Sequence, residues 1–145
     1  MSRYPLERLL DLQQQKERIR QLELALAERE RQRQATSLAD METKLSLELA
    51  SPVHPDLLDH RARFSIALHR KICGKREHLR AQTDACHEAR DVLLKARMEK
   101  KKYEAHKESH LAEVKLREQR ITQAAQDEAA SQQFLRQQEV HVDED

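Results

Sequence analysis

Apolar residues recur along most of this chain at intervals of three, four and seven, the spacing of one face of an α-helix. From Leu58, steps of seven reach Ser65, Ile72, Leu79, Cys86 and Leu93, then Lys100, Lys107, Val114, Ile121, Glu128 and Leu135. Three residues beyond these lie Leu68, Ala89, Ala96, Tyr103, His110 and Ala124, among more polar members. The two lines are the a and d positions of a heptad seam, regular over 58–96 and patchier afterwards. An earlier stretch has similar spacings in two blocks: Leu9, Leu12, Ile19, Leu22 and Leu26, then Leu38, Met41, Leu45 and Leu49. The wholly polar run 28–34 separates the blocks, so the seam is interrupted or shifts its phase there.

The breakers cluster in one place, Ser51-Pro52-Val53-His54-Pro55-Asp56. Two prolines three apart end a helix and make a tight connection, and Asp56 or its predecessor can cap the next helix. The pattern predicts helix one over about 5–50, a loop at about 51–55 and helix two over about 56–138. A frayed acidic tail ending Val142-Asp143-Glu144-Asp145 comes last. The expected fold is all-α: one long antiparallel two-helix coiled coil, a helical hairpin whose second helix is the longer. At about 1.5 Å per residue the helices measure roughly 68 and 125 Å. Pairing that starts at the loop exhausts helix one opposite about residue 100 and leaves roughly 35 residues of helix two overhanging.

Composition sharpens this picture. One glycine, three prolines, 37% charged and 3% aromatic residues are far from an ordinary globular domain. A thin seam is available and a large core is not. No apolar run approaches the ~18 residues of a membrane span. Pro5, Glu7 and Asp11 interrupt any secretory signal near the N-terminus. Cys73 and Cys86, about 20 Å apart on one helix, are out of disulfide reach and read as reduced thiols. Residues 51–106 carry 13 basic and 8 acidic side chains, and residues 107–145 carry 5 and 9. The basic middle suits an acidic partner or a solvated helix face equally.

Residues 106–110 read HKESH and raise the question of zinc. In a zinc-protease helix the glutamate directly follows the first histidine. Glu108 instead follows His106 by two, about 200° around the helix and away from the pair. His110 also falls on the seam. His60, His69, His78 and His87 are nine apart and alternate faces. The Gly74-Lys75 pair lacks the upstream glycine of a phosphate loop. One triplet, Lys100-Lys101-Lys102, amid acidic neighbours does not make a nucleic-acid site. The expectation is therefore no enzyme, no cofactor, no metal and no nucleic-acid partner. Phe64 sits beside the seam and is a candidate partner contact.

The opening Leu6-Glu7-Arg8-Leu9-Leu10-Asp11-Leu12, the run Ala96-Arg97-Met98-Glu99-Lys100-Lys101, and Arg117-Glu118-Gln119-Arg120 followed by Asp127-Glu128 resemble the FliJ family of the bacterial flagellar export apparatus. The injectisome counterpart, YscO, has the same shape and is the nearest alternative, and a generic coiled-coil adaptor is another. The FliJ resemblance implies a non-catalytic stalk that inserts the end carrying both termini into a hexameric export ATPase and promotes its assembly. It further implies contact with the cytoplasmic domain of the export gate and with export chaperones. The place implied is cytoplasmic, reaching the inner membrane only through partners. The resemblance also implies that Phe64 and Leu68 are similar to the family's gate-contacting apolar positions, while Leu6, Leu9, Leu10, Ile121 and Glu128 are candidate ATPase contacts from their place near the termini.

Overall fold

A computed structural model describes residues 3–142 of the backbone and side chains as far as residue 139. The expected acidic end at Asp143-Glu144-Asp145 lies outside the described residues. Helix α1 spans Glu7–Ala50, and helix α2 spans Leu58–Val142 after a single 3-10 turn at Pro55–Leu57. The fold is a helical hairpin with a 44-residue first helix and an 85-residue second. Glu7 places a carboxylate in the first turn of α1, where the exposed N–H groups favour it. No helix among the described residues is long and apolar enough to cross a membrane.

The connection is tied from both sides. The Ser51 hydroxyl donates to the Leu47 carbonyl at 2.7 Å, and Pro52, lacking an N–H, stops α1. His54 accepts from the Asp56 amide at 3.3 Å and opens the turn into α2. The last turn of α1 has no basic residue of its own. Arg61 supplies one from α2, donating to the carbonyls of Ser51, at 2.6 Å, and of Glu48. These are orphan acceptors of the helix end.

The chain divides into two compact units, Gln13–Glu99 and Met1–Leu12 with Lys100–Asp145. Within Gln13–Glu99 the α2 seam follows the heptad register: Arg61, Ser65, Leu68, Ile72, Lys75, Leu79 and their successors to Ala96 are all buried or half-buried. Leu38, Leu68 and Ile72 form the core cluster, with Met41, Leu45 and Leu79 packed against it. Cys86 and Leu93 are buried farther along.

The seam of α1 differs from expectation. Leu38, Met41 and Leu45 face α2, but Leu9, Leu12, Ile19, Leu22 and Leu26 are exposed, Leu22 at 66%. Within Gln13–Glu99 the buried line runs instead through Glu17, Leu24, Arg31, Leu38 and Leu45, seven apart. Ile19, Leu22 and Leu26 each lie two residues from this line, about 200° around the helix. The polar run 28–34 is where the apolar stripe changes face: after it Leu38, Met41 and Leu45 share the phase of the α2 seam, while Leu49, expected with them, is 61% exposed.

Within the second unit, Tyr4 and Leu10 are buried, at 3% and 4% exposure. The α2 line continues through Lys100, Tyr103, Lys107, His110 and Val114, all half-buried. Beyond it, every side chain over 115–139 is exposed. The overhang therefore begins later than residue 100. The loop and first turn of α2 are consumed in reversing the chain, which displaces the pairing toward higher α2 numbers. Residues ahead of α1 then extend the contact.

Two substitutions distinguish the buried face from the exposed stripe. Ile72→Ala is expected to destabilise the fold by about 2–5 kcal/mol, whereas Leu22→Ala should cost under about 0.5 kcal/mol. Urea unfolding followed by circular dichroism checks both, and equal losses would contradict the assignment of faces.

Candidate functional site

The described residues present surfaces rather than an enclosed reaction centre. The first surface lies at the loop. Phe64 is 37% exposed, and the Lys44 ammonium sits 5.6 Å from its ring centroid. Such a cation over an exposed ring adds about 0.5–1 kcal/mol. Pro52, Val53, Leu57 and Phe64 line an open cleft of about 400 Å³ there. Leu68, one turn on, is 7% exposed and packed with Leu38 and Ile72. Its side chain belongs to the seam.

The second surface lies in the unit that holds both ends of the chain. Tyr4 donates its hydroxyl to His106 Nδ1, or accepts from it, at 2.8 Å. Its ring centroid is 5.7 Å from those of both His106 and His110. Lys107 Nζ reaches Glu7 Oε1 at 2.8 Å beside them. The HKESH histidines thus form a cradle for one tyrosine, and Glu108 is exposed. His110 Nε2 is buried with no hydrogen-bond partner among the described residues. No group of three or more His, Cys, Asp or Glu suited to a metal occurs among the described residues. The heptad pattern does not single out Tyr4. The available signal is an aromatic residue directly before the proline that opens a helix.

The candidate ATPase contacts all fall in this second unit but differ in access. Leu10 is buried and Leu6 half-buried. Leu9 is 41% and Ile121 64% exposed, and Glu128 is exposed. Leu10 packs within the fold, three residues after Glu7 on the side of α1 that meets Lys107. Leu116, Phe134 and Leu135 join Ile121 as exposed apolar residues of the overhang.

Within Gln13–Glu99, charge pairs span the seam. Arg76 meets Glu42 and Arg90 meets Glu28, each at 2.7 Å, and Arg97 meets Glu17 at 3.2 Å. Lys75 donates to Ser37 at 2.9 Å and to Gln34 at 3.2 Å. Glu17 is only 8% exposed. The hydrogen bond and charge of Glu28 raise the Arg90 pKa further. Glu30 is held below the ordinary carboxylate range by the Gln34 amide and the Arg33 charge. Cys73 is exposed with Sγ 3.7 Å from His69 Nε2, and Cys86 is buried. Gly74 has nothing within 4 Å of where a Cβ would stand, so it fills no special role in packing.

The described residues thus form a two-helix hairpin that presents open surfaces. The family model described as "Flagellar FliJ protein" matches residues 1–139, and the chain belongs to the FliJ family. Membership makes it a flagellar, export-associated protein. The chain matches no curated protein and no solved structure.

Removing the Tyr4 ring should release the segment ahead of α1. Tyr4→Ala is expected to speed tryptic cleavage after Arg8 several-fold. Tyr4→Phe, which keeps the ring and loses the bond to His106, should speed cleavage by less than Tyr4→Ala does. Equal cleavage of wild type and Tyr4→Ala would show that the cradle does not hold the segment.

Proposed function

We propose that this protein is a non-catalytic stalk of the flagellar export apparatus that promotes assembly of the export ATPase hexamer and links it to the export gate and export chaperones. The observation that carries the reading is the unpartnered stretch 115–139, a helix exposed on every side with Leu116, Ile121, Phe134 and Leu135 along it. Helix formation alone gives a segment little stability, and most comes from packing against something else. An enclosing ring supplies that packing. ATP chemistry then belongs wholly to the partner. By linkage, a stalk that binds the assembled ring better than free subunits shifts the equilibrium toward the ring.

In this reading Leu9, Ile121 and Glu128 face the ATPase, with Leu6 at the margin and Leu10 supporting from within. Phe64 contacts the gate's cytoplasmic domain, and Leu68 holds the helix beneath it. The protein acts in the cytoplasm at the inner membrane, through these partners.

Titrating the export ATPase with this protein, with hydrolysis rate and oligomer size followed together, tests the stalk. Stimulation with a shift toward hexamer is expected, and deletion of 115–145 should abolish both. No change in either with an active ATPase would remove the mechanism. Phe64→Ala should weaken binding of the gate domain by about tenfold, the loss of ~1.4 kcal/mol, at unchanged helicity. Equal gate affinity would sink that contact.

A further inference from the structure

The outward face of α1 has no place in the reading above. Within Gln13–Glu99 it carries Ile19, Leu22 and Leu26 at 53%, 66% and 64% exposure, on the side of the helix turned from α2. These three residues are the polar face by position and the apolar face by chemistry. Their order is informative. Ile19 and Leu26 are seven apart, and Leu22 is three after Ile19. That is an a-d-a heptad of its own, separate from the seam with α2. Isoleucine at a with leucine at d favours a two-stranded parallel pair.

The charges beside the stripe favour the same partner. In a parallel coil, the residue just before an a position lies against the residue five later on the other chain, and such g–e pairs set partner choice and orientation. Here those residues are Arg18 and Glu23. Two copies in parallel bring Arg18 of each against Glu23 of the other. Glu23 now bonds Arg20 at 2.8 Å, with both side chains about half exposed. An exposed helix pair of this kind is worth only a few tenths of a kcal/mol and exchanges readily. The antiparallel arrangement is poorer, because it sets Leu26 against the polar Gln15. In parallel, Ile19, Leu22 and Leu26 each meet their own kind in three apolar layers.

We propose that the outward α1 stripe of Ile19, Leu22 and Leu26, flanked by Arg18 and Glu23, is a docking surface for a second copy of this chain, joined as a parallel α1–α1 coil. The stripe is short, so the dimer is reversible, with a dissociation constant on the order of 100 μM, as suits an interface well below the standard size. It forms between intact hairpins and leaves the α1–α2 seam in place. It does not depend on the proposed export partners, and the test uses the full chain alone.

Sedimentation equilibrium up to about 1 mM should show monomer–dimer exchange in the range expected of a weak interface. Leu22→Glu should remain monomeric throughout, with helicity unchanged by circular dichroism. Arg18→Glu, which puts like charges together, should weaken the dimer about tenfold, and Arg18→Glu with Glu23→Arg should restore it, the change matching two exposed pairs lost and regained. A wild type monomeric at every concentration would overturn the proposal and assign the stripe to a different partner. A dimer indifferent to Leu22→Glu, or a double variant no tighter than the single one, would overturn it as well.

Discussion

Everything in this molecule depends on one narrow line of contact, the heptad seam of α2. A chain with 3% aromatic residues and a single glycine has no means of building a wide core. It has a helix whose a and d positions stay on one side for turn after turn, because a 3.5-residue repeat keeps pace with a slightly supercoiled helix. Ile72, Cys86 and Leu93 are buried by that regularity. The Pro52 and Pro55 connection folds α1 back along the line, and Arg61 fastens the turn through two carbonyls of α1.

The contribution of α1 to the seam is unequal along its length. Near the loop it brings Leu38, Met41 and Leu45, which pack with Leu68, Ile72 and Leu79. Farther on it brings Glu28 and Glu17, which meet Arg90 and Arg97. Charged pairs flank the contact on both sides of the polar run 28–34, and beyond the run α1 brings fewer large apolar residues to it. Through this division the leucines not used inside remain exposed outside.

The second helix is legible in the sequence because one register serves it throughout, down to half-buried Lys100, Lys107 and His110. The turn is legible from Pro52 and Pro55. The first half of α1 is not. Leu12, Ile19, Leu22 and Leu26 have the spacing of a seam, and spacing alone does not say which partner a stripe faces. Only the register of α2 decides that, by placing Arg90 and Arg97 opposite Glu28 and Glu17. Tyr4 escapes a linear reading because its partners, His106 and His110, lie about a hundred residues away in the chain. Of the candidate contact residues, Phe64, Leu9, Ile121 and Glu128 are accessible, while Leu68 and Leu10 are spent on packing. A linear pattern marks apolar residues but does not separate a buried one from its exposed neighbour a third of a turn away.

The two faces of α1 also bear on how the chain avoids misfolding. Turned half a revolution, the first half of α1 would offer α2 a row of leucine and isoleucine in place of glutamate, and on hydrophobicity alone that rotation competes with the native one. The Glu17–Arg97 and Glu28–Arg90 pairs exist only in the native rotation. In the rotated helix Glu17 would point to solvent and the arginines of α2 would confront apolar side chains. Charge in this coil is therefore less a source of adhesion than a keyway that tells one rotation of the helix from the other.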